Sequence, residues 1–110
     1  MINLAHVIYA TISVPVIEGE TLIKDGEDIT LKCSVDGGTS ASSTITWRKD
    51  ETEIPPTADD SNIEIQNNTL RIMEATNANA GTYSCVHSYQ DTNGEDRESV
   101  ATVILGGKEY

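Results

Sequence analysis

Apolar and polar residues alternate with a period of two along most of the chain, in short runs separated by turn residues. Residues 28–35, for example, carry an apolar side chain at every second position from Ile29 to Val35. Such alternation predicts strands with one buried face, and the 3.6-residue period of amphipathic helices is absent almost everywhere. The predicted strands cover residues 28–35, 44–48, 62–66, 69–73, 82–89 and 99–105.

The segments between these runs have the composition of turns. Residues 36–43 form a loop rich in glycine and serine, and Pro55 and Pro56 predict an irregular crossing between sheets. Asn93 and Gly94 lie between two strand-like runs and predict a tight hairpin, because both residues tolerate positive φ. Seven or eight short strands with turns at this spacing predict an all-β, antiparallel sandwich of two sheets.

Length and charge narrow the class of protein further. The chain has 110 residues, which suits one domain, and no apolar run approaches the length of a membrane-spanning helix. The formal net charge of -11 argues against binding to nucleic acid or to a membrane surface. It suits a basic partner or divalent cations, or serves solubility alone. We expect a leading segment at residues 1–11, one domain at 12–106, and a tail or linker at 107–110.

The two cysteines, Cys33 and Cys85, lie 52 positions apart, each at an inward position in the middle of a predicted strand. This placement favours a buried disulfide over a zinc site, which usually needs four ligands and closely spaced cysteine pairs. Closing a loop of this length would stabilise the fold by roughly 4 kcal/mol in the chain-entropy model. Two reduced core cysteines in an intracellular protein are the alternative.

Residues around the cysteines resemble the core signature of the immunoglobulin superfamily. Cys33 and Cys85 are accompanied by Trp47 in the next strand and by Tyr83, two residues before the second cysteine, as in that family's tyrosine corner. Further matching positions are Leu70 and Gly81. The resemblance covers about residues 12–106 and implies a two-sheet sandwich with an inter-sheet disulfide.

The subtype is indicated by shorter stretches. Residues 47–50 resemble the intermediate-set or neural-adhesion type, and residues 85–89, with the Cys33-to-Trp47 spacing, resemble the basigin and neuroplastin group. That spacing is longer than the intermediate-set norm and lacks its usual proline. Asn79 stands where the family usually has aspartate, so we expect the family's buried Asp–Arg ion pair to be absent or replaced by neutral hydrogen bonds.

No catalytic constellation is present in the sequence. His6 lies in the leading segment, and His87 is expected to point inward as a structural residue. The sequence contains no nucleophile elbow, zinc-protease motif, P-loop or dinucleotide fingerprint. With Cys85 in a disulfide, no thiolate remains beside His87 to ligate a metal or attack a substrate. We therefore expect no enzyme, no cofactor, no metal site and no small-molecule substrate.

Three places are candidates for recognition or modification. Asn67 begins an N-glycosylation sequon at a predicted turn. A hairpin tip is dense in oxygen ligands but lacks the spacing of a calcium loop, and it comprises Asp91, Asn93, Gly94, Glu95 and Asp96. A candidate protein-binding face requires residues 99–105 to direct Val100 and Ile104 outward, because a one-residue slip in register would bury them instead. Its predicted members are Thr46, Arg48, Val86, Ser88, Val100, Thr102 and Ile104.

Together these features predict an extracellular immunoglobulin-like recognition or adhesion module of a cell-surface or secreted protein. It would bind another protein, or a second copy of itself, through the candidate face, with the hairpin tip tuning specificity. One alternative is a structural module of an intracellular, muscle-type giant protein. Another is a ligand-binding domain of an immune or growth-factor receptor, because the fold does not determine the function.

Overall fold

The computed structural model describes residues 14–35, 43–55 and 62–107. In these ranges the chain forms nine strands and one 3-10 helix, Asn77–Asn79. The leading segment at 1–11, the glycine- and serine-rich loop except for Ser43, Pro56 and the last three residues lie outside the described residues. The strands are β1 Pro15–Gly19, β2 Leu22–Ile23, β3 Ile29–Val35, β4 Thr44–Lys49, β5 Thr52–Glu53, β6 Ile63–Gln66, β7 Thr69–Ile72, β8 Gly81–Gln90 and β9 Asp96–Gly107.

The strands form two sheets, which confirms the predicted immunoglobulin-like sandwich. The four-stranded sheet has the order β1-β3-β7-β6 and is antiparallel throughout. The five-stranded sheet has the order β2-β9-β8-β4-β5, in which β2 pairs with β9 in parallel and the other pairs are antiparallel. Each sheet buries one face against the other, as the alternating sequence requires.

The core lies between the sheets around the predicted disulfide. Cys33 on β3 and Cys85 on β8 are bonded, so the bridge joins the two sheets. Trp47 lies opposite Cys85 in the β4–β8 register and is fully buried. The other large, fully buried apolar side chains come from both sheets and are Leu31, Leu70, Ile72, Tyr83 and Leu105. The inward positions predicted for Tyr83, Cys85 and His87 agree with their burial.

The tyrosine corner forms as the family resemblance implies. The hydroxyl of Tyr83 donates to the carbonyl oxygen of Asn79 at 2.7 Å, entirely within the core. Burial, together with the nearby Asp50 carboxylate, raises the pKa of Tyr83 to about 12. This bond ties the start of β8 to the 3-10 helix that precedes it.

Neutral hydrogen bonds occur at Asn79, where the family usually has an ion pair. Asn62 and Asn79 exchange two bonds: the Asn62 amide donates to Asn79 Oδ1 at 3.0 Å, and the Asn79 amide donates to Asn62 Oδ1 at 3.1 Å. Asn79 Oδ1 also accepts from the backbone N–H of Thr76. The buried amide of Asn79 thus closes the end of the sandwich without a buried charge, which would be costly to desolvate.

Candidate functional site

The outward face of the five-stranded sheet carries the predicted protein-binding residues, and we call it the candidate binding face. Strands β4, β8 and β9 place their even-numbered residues on this face in register. The rows across it are Thr44–Ser88–Glu98, then Thr46–Val86–Val100, then Arg48–Ser84–Thr102. The register therefore assembles the predicted set from three strands onto one surface.

Residues 99–105 adopt the outward register on which the candidate face depends. Val100 is 46% exposed and Ile104 is 71% exposed, whereas Leu105 is fully buried. Leu22 on β2 lies beside Gly106 and adds a third exposed apolar side chain next to Ile104. Sequence reasoning missed Leu22 because a strand of two residues shows no alternation from which it could be recognised.

Val86 is a correction to the predicted set, because its side chain is only 1% exposed although it points away from the core. Val100 and Thr46 flank it in the same row. The guanidinium of Arg48 lies 3.9 Å from the carboxylate of Glu98. Arg48 is on β4 and Glu98 is on β9, the two strands that flank β8, and their rows lie on opposite sides of the row of Val86. The ion pair therefore crosses above Val86 and covers it. Val86 packs beneath the face and is not exposed to contact a partner.

Hydroxyl groups separate the exposed apolar side chains. The hydroxyls of Ser84 and Thr102 lie 3.1 Å apart and share a hydrogen bond. At the end of the face, Asp50 holds the β4–β5 turn against β8, because its carboxylate accepts from the backbone N–H of Thr82 at 3.0 Å and its own N–H donates to the Thr82 carbonyl. Exposed apolar side chains with few charges between them are typical of the central part of a protein interface.

The β8–β9 hairpin is organised by one carboxylate. Asp91 Oδ1 accepts from the backbone N–H groups of Asn93 and Glu95, and Asp91 Oδ2 accepts from Arg97 Nε at 2.9 Å. The backbone hydrogen bond from Glu95 and the bond from Arg97 lower the pKa of Asp91 below its ordinary value. The carboxylate thus stabilises the hairpin that the Asn93-Gly94 pair predicts. Gly94 adopts the expected positive φ of 79°, whereas Asn93 does not, because the loop is longer than a two-residue turn and spans residues 91–95.

A shallow depression of about 410 Å³ lies where this hairpin meets the candidate binding face. It is lined by Thr44, Ser88, Tyr89, Gln90, Asp96, Arg97 and Glu98. Of the lining residues, Tyr89 stacks on the buried His87, with ring centroids 5.0 Å apart. The depression joins the predicted loop to the predicted face, so the two form one continuous surface.

The remaining predicted site is Asn67, in the turn between β6 and β7. It is exposed and has a positive φ of 57°, a conformation that asparagine tolerates better than most residues. This turn belongs to the four-stranded sheet, so its side chain is remote from the candidate binding face.

Within residues 14–35, 43–55 and 62–107, no group of three or more histidine, cysteine, aspartate or glutamate side chains is placed to hold a metal ion. Among the same residues, no helix has the length and apolar character needed to cross a bilayer.

Comparison with protein-family models matches residues 12–88 to the model described as "Immunoglobulin domain". This match includes Trp47, Tyr83 and both cysteines, and it covers well over half of the chain. No curated protein sequence shows significant similarity to the chain.

Solved structures share the fold at low sequence identity. The N-terminal Ig1-2 module of the Drosophila receptor protein tyrosine phosphatase DLAR is 20% identical, with a TM-score of 0.59 over 88% of this chain and 47% of that chain. Drosophila OTK extracellular domains 3–5 are also 20% identical, with a TM-score of 0.60 over 84% of this chain and 30% of that one. The M1 domain from titin is 16% identical, with a TM-score of 0.60 over 84% of this chain and 95% of that one. The chain spans about half or less of the DLAR and OTK fragments.

Proposed function

The chain belongs to the immunoglobulin domain family, and we propose that it is an extracellular recognition or adhesion module that binds another protein through the candidate binding face. The observation that carries the proposal is the set of exposed aliphatic side chains, Leu22, Val100 and Ile104, on one sheet face among neutral hydroxyls. An apolar surface held by a rigid sheet and bordered by polar groups is typical of a protein-binding site.

The β8–β9 hairpin adjoins this face and supplies charge at its border. Arg97 pairs with Asp91 and with Glu95, so the charged tip keeps a defined shape. Charges at the border of an interface act mainly on association rate and on the choice of partner. We therefore assign the hairpin to specificity and the apolar face to affinity.

An extracellular location is supported by three features. The disulfide is typical of oxidising compartments, and the similar OTK fragment consists of extracellular domains. The sequon at Asn67 is exposed on a turn of the four-stranded sheet. A glycan there would project away from the candidate binding face and leave it open to a partner. Treatment with an N-glycosidase should lower the mass of the native protein, and this loss should be absent in Asn67→Gln.

We also assign the domain to the intermediate-set or neural-adhesion type, on the run from Trp47 to Asp50. The likeness to the titin M1 domain is the specific observation that favours a second candidate, a structural module of an intracellular giant protein. The two candidates differ in the expected state of Cys33 and Cys85, which would be free thiols in the intracellular module.

The proposal is tested by binding of a fluorescent tetramer of the domain to a panel of cells from the source organism. We expect the wild-type tetramer to stain some of these cells, and Ile104→Asp to abolish the staining. Val16→Asp is the matched control, because Val16 is 54% exposed but lies on β1 of the four-stranded sheet. Equal loss in both variants, or no staining of any cell by the wild type, would refute binding through this face.

A further inference from the structure

The ion pair between Arg48 and Glu98 is held loosely within this domain. At 3.9 Å the two groups attract each other but make no hydrogen bond, and both side chains remain substantially exposed. An exposed pair of this geometry contributes about 1 kcal/mol or less. The guanidinium has five N–H donors in a fixed fork, so Arg48 retains the capacity to bind a better-placed carboxylate.

The centre of the candidate binding face is locally neutral in a strongly acidic chain. On β4, β8 and β9 its three rows contain one basic residue, Arg48, and one acidic residue, Glu98, and the Arg48 row continues on β5 with Glu53. The whole chain has a net charge of -11. Two copies of the chain repel each other over most of their surface. Among the residues of β4, β8 and β9 in these rows the two charges cancel, so a second copy can meet this face charge against opposite charge.

The positions of the two charges are self-complementary. Arg48 and Glu98 lie at opposite ends of a diagonal centred on Val86, since each is one strand and one row away from it in opposite directions. Consider two copies face to face, related by a two-fold axis that passes over Val86 at right angles to this diagonal. Arg48 of each copy then lies opposite Glu98 of the other, as an isologous interface requires.

We propose that the partner recognised by the candidate binding face is a second copy of this chain, and that Arg48 and Glu98 determine this specificity by exchanging their intramolecular ion pair for two intermolecular ones. This inference rests on the proposed function and names its partner. In the separated copies, each chain has one exposed Arg48–Glu98 ion pair. In the dimer, these are replaced by two intermolecular Arg48–Glu98 ion pairs in a desolvated interface, and Val86 stays covered in both states. Val100 lies beside the axis and contributes apolar contact.

The test is sedimentation equilibrium of the oxidised domain, from low micromolar to near-millimolar concentration, with charge-reversal variants. We expect the wild type to dimerise, and Arg48→Glu or Glu98→Arg alone to weaken dimerisation by roughly tenfold or more. The double variant should recover the dimer. An equimolar mixture of the two single variants should form a heterodimer, because one copy then presents two acids and the other two bases.

Arg71→Glu is the matched control, because it makes the same charge change in an exposed arginine–carboxylate pair on the four-stranded sheet. It should leave dimerisation unchanged, and circular dichroism should show that all variants are folded. A wild type that stays monomeric, or single variants that neither weaken the dimer nor combine as a heterodimer, would overturn the inference. If tetramers of that monomeric wild type still stained cells through Ile104, the proposed function would stand with a different partner.

Discussion

The hydroxyl group of Tyr83, a residue of the core signature, stabilises the fold through its buried hydrogen bond to the Asn79 carbonyl. Replacing Tyr83 with phenylalanine should lower the free energy of unfolding by about 1–3 kcal/mol, because the Asn79 carbonyl would lose its donor inside the core. Urea denaturation measures this as a lower midpoint with an unchanged slope. An unchanged midpoint would show that the tyrosine corner contributes nothing to stability.

The same residue gives the stability a defined dependence on alkaline pH. The folded state raises the pKa of Tyr83 from 10.0 to about 12, through burial and then through the Asp50 charge. The neutral phenol is therefore favoured by folding, so its contribution is complete below pH 10 and is lost as the pH rises towards 12. Titration of tyrosinate absorbance should contain one late phase near pH 12, and Tyr83→Phe should remove it. A late phase that persists in this variant would contradict the assignment.

The reciprocal amide pair of Asn62 and Asn79 should behave as a coupled unit. Each single change to alanine removes both bonds of the pair, although Asn79 keeps its bond from the Thr76 N–H and Asn62 keeps its bond to the Met73 carbonyl, so each should be destabilising. In a double-mutant cycle of Asn62→Ala and Asn79→Ala, we expect a coupling of about 1–3 kcal/mol in urea denaturation. Asn62→Ala combined with Gln90→Ala is the control and should be additive. Additivity in the first cycle would disprove the coupling.

At the residue scale, the alternating pattern predicted the burial of inward side chains, but it could not predict burial that depends on contacts with side chains from other strands. The burial of Trp47 and Tyr83 follows from their inward positions and was predicted correctly. The burial of Val86 was not, because it depends on Arg48 and Glu98 from two other strands that meet above it. The replacement of the family's ion pair at Asn79 was predicted, but the identity of its partner, Asn62, required the structure.

The β4–β5 hairpin has a turn sequence that is poorly suited to its backbone conformation. Register leaves two residues in this turn, Asp50 and Glu51, and both have positive φ, as in a type I′ turn. Asp50 is tolerated there with its carboxylate bound to the Thr82 N–H, whereas glutamate strongly disfavours this region. Glu51→Gly should therefore raise the free energy of unfolding by about 0.5–1 kcal/mol in thermal or urea denaturation.

The opposite change in the β8–β9 hairpin is the matched control for this prediction. Gly94 has a φ of 79° and nothing within 4 Å of an added Cβ, so alanine there meets only backbone strain. Gly94→Ala should lower the stability by about 1 kcal/mol. If Glu51→Gly were instead destabilising while Gly94→Ala behaved as expected, the strain ascribed to Glu51 would be wrong.

Strand prediction succeeded where alternation was long enough to be recognised. Six of the nine strands in the described part of the chain correspond to predicted runs, although β9 begins at Asp96, three residues earlier than predicted. The unpredicted strands were β1, β2 and β5. Two of these have only two residues, and β1 lies at a sheet edge where Val16 is exposed. Short edge strands form because neighbouring strands offer hydrogen bonds, and this information is not local.

At the scale of the whole molecule, the redox state of the cysteines separates the two candidate settings. An extracellular protein should carry the Cys33–Cys85 bond when isolated, whereas a cytosolic one is kept reduced. Trapping the native protein with an alkylating reagent in denaturant, followed by mass spectrometry, should detect no modified cysteine. The same sample reduced before alkylation is the positive control. Two alkylated cysteines without reduction would favour the intracellular module.

Binding through the candidate binding face is tested most directly by a scan of aspartate substitutions in the cell-binding tetramer. Exposed positions on the outward faces of both sheets would be changed one at a time, and folded variants would be compared by flow cytometry. If this face binds the partner, losses should cluster at Leu22, Val100, Thr102 and Ile104, and Val16, Thr30 and Glu64 on the four-stranded sheet should tolerate the change. Losses centred on the four-stranded sheet, with Val100 and Ile104 tolerant, would contradict binding through this face.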